Sequence, residues 1–363
     1  MATDLKKRIY KFDNIKFAVI LLVVLGHVIE GYIGKSDMFK SLWLFIYSFH
    51  MPLFIFLSGL FQKRFEKGSK FNTQKFTYYI ILGFILKLFL QLIYDFFTNT
   101  KEKLDLLGGQ HVEWFLFALA MYMLFAFIVQ RIHPAIILSF SVVAALVGGY
   151  LWFVGDFMYS SRTLVFMPFF FLGYYLTPEK IMDFTNKIYI KIGAVAVLVI
   201  YFVLCFRERT ELYKLRGLFT GRNSYATVAQ KLEGCSPIHR LLCYGISLVL
   251  CIAVIAIVPN IKIPLISSMG ANTLSVYFWH NPCIYIAKYF GLFALMLKAP
   301  DPLWKILIIA FALVLGFVLS FPVFNAPLKA LNKLVQKIPT KACIITVVAI
   351  FVVAAILRFF VLV

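Results

Sequence analysis

Lys16-Phe17-Ala18-Val19-Ile20-Leu21-Leu22-Val23-Val24-Leu25-Gly26-His27 lies within the first long apolar stretch of the chain, with a cation at one end, an imidazole at the other and ten uncharged residues between. An offset of eleven residues is about three turns at 3.6 residues per turn, so a helix carries both side chains on one face. At about 1.5 Å per residue they stand roughly 16 Å apart along the axis. In a helix that crosses a bilayer, the lysine is expected at the boundary and the imidazole about halfway into the hydrocarbon. A histidine at that depth is costly and is by default a functional candidate. Glu30 follows three residues later, shares the face and is expected to orient the ring.

Apolar runs of this kind recur along the whole chain. Of its 363 residues, 62% are hydrophobic, against about half in an ordinary soluble globule. Membrane-length spans are read near 15–33, 41–61, 76–97, 113–130, 135–154, 162–177, 187–206, 240–258, 271–297, 303–325 and 342–361. The expected fold is all-α: a polytopic integral membrane protein with about 10–11 transmembrane helices. One membrane domain is expected over residues 1–363, with a long outer loop at 207–239. The first run has no small-residue cleavage site and is read as an anchor that stays. No convincing repeat relates the halves, which weighs against transporter folds built from internal repeats.

The net charge is +20, from 36 Lys and Arg against 16 Asp and Glu. In a membrane protein such an excess mostly sets topology. Lys6, Lys7, Arg8 and Lys11 precede the first span, and Lys63, Arg64, Lys67, Lys70 and Lys75 follow the second. Lys180, Lys187 and Lys191, and later Lys329, Lys333, Lys337 and Lys341, fall in other alternate connections. The expectation is a multi-pass protein of the inner (plasma) membrane with a cytoplasmic N-terminus. One stretch conflicts with it: the loop at 207–240 should be outside, yet it holds Arg207, Arg209, Lys214, Arg216, Arg222, Lys231 and Arg240. The six cysteines show no metal-ligand spacing, and no metal is expected.

Four groups of residues could carry chemistry. Neutral imidazole at His27 can take the proton of an acceptor hydroxyl as that oxygen attacks an activated acyl group, with Glu30 in support; the competing reading is a structural histidine bonded to a backbone carbonyl. The second group is Phe49-His50-Met51-Pro52-Leu53-Phe54-Ile55-Phe56-Leu57-Ser58-Gly59. There Pro52 is expected to break the helical ladder, and Ser58-Gly59 to allow close packing. Arg64 and Lys67 beyond it could grip a phosphate or only set topology. The third is His111-Val112-Glu113-Trp114, an outer site with Arg162 on the same side, or ordinary interfacial residues. The last is Asn272 to Pro282, where His280 is either a site residue or a packing group.

At these residues the chain resembles membrane acyltransferase family 3, which includes polysaccharide and sugar O-acetyltransferases. The resemblance rests on the spacing of Lys16 and His27 with Asp13 before it, Phe49 through Ser58-Gly59, and Arg64. Trp114-Phe115-Leu116, Pro168 to Gly173 and Asn272 to His280 complete it. The Phe-His-Met-Pro form is most similar to the fucose 4-O-acetylase-type branch. Lys16 stands where arginine is often found and Lys67 where a second arginine is common; both keep the positive charge. The resemblance implies an acyl donor, commonly acetyl-CoA, as a cytoplasmic co-substrate, with no permanently bound cofactor. It implies His27 as the essential histidine and Lys16 and Arg64 at the donor. Lys67 and Ser58 are grouped with them. His50, Glu113, Trp114, Arg162 and His280 are expected to bind or support the acceptor, a glycan or a lipid-linked sugar. Membrane lipids are the other expected partners, and nucleic acid is not one. The alternatives are a transporter or flippase using the intramembrane His and Glu residues, and a module that binds a small molecule without chemistry.

Overall fold

The structure is a computed structural model that describes residues 9–66, 68–98, 105–109, 111–151 and 157–358, and every regular element among the described residues is helical. The main helices are α1 (Tyr10–Glu30), α2 (Asp37–Tyr47), α3 (His50–Leu60), α4 (Thr73–Thr98), α5 (Trp114–Ile128), α6 (Pro134–Gly148) and α7 (Ser160–Tyr175). They continue as α8 (Pro178–Thr185), α9 (Ile188–Arg207), α10 (Pro237–Ile257), α11 (Thr273–Tyr289), α12 (Leu303–Leu319), α13 (Pro322–Gln336) and α14 (Thr340–Ile356). Short helical turns lie between α9 and α10 and on either side of α11.

Among the described residues, five stretches are long and apolar enough to cross a bilayer alone: α1, the α2–α3 pair, α4, α9 and α10. The α12–α13 pair, bent by 49°, makes a sixth if counted as one span, and α5, α6 and α14 are apolar but shorter. The protein is therefore an all-α polytopic membrane protein. Among the described residues a helix lies at each expected span, although only five or six stretches are long and apolar enough to cross a bilayer. α9 turns Ile188, Ile192, Val195 and Val199 outward, and α14 does the same with Ile345, Val348 and Val352. Apolar stripes at that spacing suit lipid.

The expected span at 41–61 is two helices, and the break is not at Pro52. It falls at Ser48 and Phe49, where Phe49 leaves helical geometry at φ −142° and ψ −22°. Ser48 Oγ donates to the Leu44 carbonyl at 2.7 Å and lies 2.6 Å from Tyr201 Oη. Ser247 Oγ donates to the Ser48 carbonyl at 2.5 Å. These bonds satisfy the backbone that the break exposes. Pro52 sits in the first turn of α3, where a backbone N–H would have no helical partner anyway.

α1 runs along the seam between two groups of helices. Its Phe12, Ile15 and Val19 pack with α3, α5, α7 and α10, while Val23, Val24, Val28 and Ile29 pack with α2, α4, α11 and α12. α3 and α7 cross at two glycines: a Cβ on Gly59 would strike the Phe170 carbonyl, and one on Gly173 the Phe56 carbonyl. Without a strong hydrophobic drive between helices in lipid, such backbone approach is a main source of cohesion.

Connections gather at two ends. At the Tyr10 end, Lys11 Nζ donates to Thr185 Oγ1 at 3.3 Å and Asn186 Oδ1 at 3.2 Å, and Gln74 Nε2 to the Ile338 carbonyl at 3.3 Å. At the Glu30 end, Arg209 pairs with Asp37 at 2.8 Å and Arg358 with Asp105 at 3.1 Å. The lysine-rich connections thus share one end, and the segments 105–109, 111–112 and 207–236 share the other.

Candidate functional site

Cavities open from the seam beside α1; one, of about 360 Å³, is lined by His27, Val28, Glu30, Asn281, Tyr285 and Lys288. Lys16, Ile20 and Val23 line another, and His27 and Glu30 also line the one next to it, so one helical stripe at spacings of four, three, four and three walls both of these. α1 begins at Tyr10. Lys16 is therefore about 9 Å into the helix, and His27 about 4.5 Å from its far end. The imidazole accordingly lies in the last turn of α1. Both groups meet open space: the Lys16 side chain is 26% exposed and that of His27 23%.

The Lys16 cavity is about 270 Å³. Its walls are mainly apolar, from Phe54, Leu57, Phe115, Leu119 and Phe170, with Lys16, Ser58, Gln62 and Lys75 as polar members. Lys16 Nζ is 3.9 Å from Asp13 and lies over the Phe61 ring at 4.3 Å. Ser58 Oγ donates to the Phe54 carbonyl of the preceding turn at 2.8 Å. Arg64 is not in this wall: Nε donates to the Tyr174 carbonyl at 3.0 Å and Nη2 to that of Leu176 at 3.2 Å, which ties the end of α3 to the end of α7. Lys67 lies outside the described residues.

The His27 cavity is about 320 Å³ and polar. His27 Nδ1 stands 3.6 Å from Glu30 Oε2, and Tyr47 Oη donates to the same oxygen at 3.4 Å. At that distance the two groups form an ion-pair contact longer than a hydrogen bond, with the carboxylate on the Nδ1 side of the ring. Two further histidines surround the pair. His50 Nδ1 bonds the Ile46 carbonyl at 2.8 Å across the α2–α3 break, with its ring 4.7 Å from that of Tyr47. The His280 ring is 5.2 Å from that of His27, is fully buried, and bonds the Tyr277 carbonyl through Nδ1 at 2.8 Å. Carbonyl bonding fixes the orientation of both rings.

Trp114 and Arg162 line the same cavity. The Arg162 guanidinium lies over Trp114 at 5.2 Å and donates to the His111 carbonyl at 3.4 Å. Glu113 does not line it. That residue is wholly buried behind the wall, with Oε1 3.2 Å from Lys87 Nζ and 2.6 Å from Tyr159 Oη. Lys87 Nζ also donates to Tyr159 Oη at 2.9 Å and to the Gly108 carbonyl. The pair locks α4 to the base of α5 and holds His111 to Trp114 in place.

The sequence reading missed Tyr47, Tyr213 and Lys87, quoted Met51 in a motif without giving it a role, and took Lys75, Arg216 and Arg222 only as topology signals. Lys87 had a usable signal, since a lysine inside an apolar span requires a partner. Met51 is the residue that lines both cavities, so the two chambers meet at the first turn of α3.

A family model described as an acyltransferase domain matches residues 9–324. That range holds every residue of both chambers. No curated protein and no solved structure matches the chain.

Proposed function

The chain belongs to the acyltransferase 3 family, and from that premise we propose that it moves an acetyl group from acetyl-CoA to a hydroxyl of a cell-envelope glycan or a lipid-linked sugar. The observation that carries this reading is the His27–Glu30 pair in a polar chamber that meets an apolar, lysine-bearing chamber at Met51.

The two chambers suit the two substrates. An acyl-CoA has a long uncharged arm ending in a thioester and a phosphate-rich head. The apolar walls of the first chamber suit the arm, and Lys16 and Lys75 suit the phosphates. The lysine-rich connections lie at the same end, which fits a cytoplasmic N-terminus in the plasma membrane. The acceptor then enters from the opposite end, beside His27, Trp114 and Arg162.

The step itself needs one base. Glu30 stands on the Nδ1 side of His27, and Nε2 takes the proton of the acceptor hydroxyl. The acceptor oxygen bonds to the thioester carbonyl carbon. The carbon–sulfur bond then breaks, and the departing thiolate takes the proton from the imidazolium. Held reactants and a positioned base are the standard sources of acceleration for such a transfer. His50 and His280, held by carbonyls, act in this scheme as positioning groups around the dyad.

The test is mass spectrometry of envelope glycans and metabolites from cells that hold the wild-type protein, the His27→Ala variant, or neither. A species heavier by about 42 Da, the mass difference for acetyl replacing hydrogen in acyl transfer, is expected with wild type alone. Unchanged acetylation by His27→Ala would remove the catalytic role. A transporter has no reason to bind CoA, so CoA binding by the purified protein separates the two readings.

A further inference from the structure

The transfer step uses one cavity at His27, yet the imidazole stands between two. The polar cavity of about 320 Å³ lies on the α2–α3 side of α1, and the cavity of about 360 Å³ lies on the α11 side. Four residues line both: His27 and Glu30 from the last turn of α1, and His111 and Val112 just ahead of α5. Ligand sites commonly run to about 300–1,000 Å³, so each cavity is ligand-sized by itself. A single sugar beside His27 accounts for one of them. We propose that the acceptor is a glycan chain that lies across the end of α1 and is acylated on an inner sugar. That sugar sits at His27, with its neighbour on one side in the α2–α3 cavity and its neighbour on the other in the α11 cavity. The inference rests on the acyl-transfer reading above and names the class of its acceptor.

The wall chemistry of both cavities fits sugars. A sugar ring has an apolar C–H face and a rim of hydroxyls, so its site needs aromatic rings to pack on and groups that donate and accept. On the α2–α3 side the rings of Trp43 and Tyr47 stack at 3.8 Å, and Tyr213 stands 5.7 Å from Trp43. On the α11 side Tyr32 stands 5.9 Å from Phe293, which meets Phe311 of α12 edge-on at 5.1 Å. Rings held by other rings are ordered before a ligand arrives, which lowers the cost of binding. Asn281, Ile284, Tyr285 and Lys288 follow one another at spacings of three, one and three, a single face of α11. They bring an amide, a phenol and an ammonium group into that wall. A lipid tail laid there would leave these polar groups against hydrocarbon; a further sugar can bond them.

The frame around the dyad is fixed from both sides. The Val112 carbonyl accepts from Tyr277 Oη of α11, and the His111 carbonyl accepts from Arg162 of α7 at 3.4 Å. Both cavities also reach the surface at the same end of the fold. Gly31 and Lys288 are exposed at the α11 cavity, Asn223 is half-buried at the other, and the Glu30 side chain between them is 50% exposed. A chain can therefore enter and leave on one side of the membrane, with one inner sugar against the imidazole.

The experiment uses the purified full-length protein in detergent, acetyl-CoA, and glycan released from envelopes of cells that lack the protein. The glycan is partly hydrolysed and fractionated into single sugars, disaccharides, trisaccharides and longer chains. From single sugars to trisaccharides kcat/KM is expected to climb at least about tenfold, the worth of one or two well-packed contacts, and then to level off. Tandem mass spectrometry should place the acetyl group on an inner sugar. Ile284→Trp fills the α11 cavity from its own wall, and Tyr32→Ala removes a ring from it. Each should flatten the climb, with the trisaccharide losing about tenfold and the single sugar much less. Retained CoA binding shows that the variants are folded. The proposal is overturned if single sugars are acylated as well as trisaccharides, if the acetyl group sits on a chain end, or if variants that bind CoA keep the full climb. The acyl-transfer reading fails separately, and takes the proposal with it, if no fraction is acetylated or if His27→Ala matches wild type at every length.

Discussion

The two ends of the stripe on α1 offer the same sign of charge in different surroundings. Around Lys16 the charge is carried by lysines at a mainly apolar cavity. Around His27 it is carried by arginines in a polar one, with a carboxylate beside the imidazole. A lysine is a strongly hydrated point charge on a flexible stem; an arginine presents a planar fork that can stay ordered when half-buried. The first arrangement suits a ligand whose charged head remains near water while an apolar arm enters. The second suits a polar ligand that must be held in one orientation against a base. The contrast teaches that sign of charge alone does not distinguish a donor end from an acceptor end; the wall chemistry does.

The strongest way to break the contrast is His27→Ala. Acyl transfer is expected to fall by about 10²- to 10⁴-fold, the usual worth of a positioned base, while CoA binding stays. Equal loss of both would mean that the histidine belongs to the donor chamber. Next is Met51→Trp, which thickens the partition where the chambers meet. Misplacing one reactant by an ångström can cost about 10²-fold, so transfer should drop while each reactant still binds its own end. Loss of binding at either end would show that Met51 is a wall and not a passage.

Lys16→Ala comes third. The KM for the donor is expected to rise about tenfold with kcat little changed, and Lys16→Arg should restore it. A fall in kcat at constant KM would place Lys16 at the chemistry. The smallest effect is expected from Tyr47→Phe, which removes the 3.4 Å bond to Glu30. About 0.5–1.5 kcal/mol is at stake in such a bond, a few-fold in kcat. An unchanged kcat would leave Tyr47 a packing residue.

Much of the fold could be read from hydropathy, and the reasons for each miss are specific. The span at 41–61 was found, but its break was placed at Pro52, because proline is the local signal and the real cause is remote. The helix breaks after Ser48, where Tyr201 and Ser247, about 150 and 200 residues away, bond its side chain and its carbonyl. The candidate residues were read unevenly for a similar reason. His27 and Glu30 are three residues apart on one helix, so their pairing follows from local geometry. Glu113 was grouped with the acceptor residues because it adjoins Trp114, but Lys87 on another helix draws it behind the wall. Arg64 was read as a phosphate grip, and here its donors are engaged by the last carbonyls of α7. The basic loop at 207–240 looked like a topology conflict because the acids that pair with it, such as Asp37, come from elsewhere in the chain.

By itself the sequence determined that this chain lives among helices in a membrane, and that one helix carries a cation and an imidazole on a common stripe. Hydrophobic length and the 3.6-residue period are local properties, and they survive any arrangement of neighbours. Tertiary structure alone decided that the stripe faces chambers, that two of them share Met51 in their walls, and that arginines from a loop some 190 residues downstream line the same cavity as the imidazole. Those facts depend on which helix packs against which. Backbone contact at Gly59 and Gly173, a buried ion pair and a pinned loop settle that choice, and their partners lie too far apart in sequence for any local pattern to reveal.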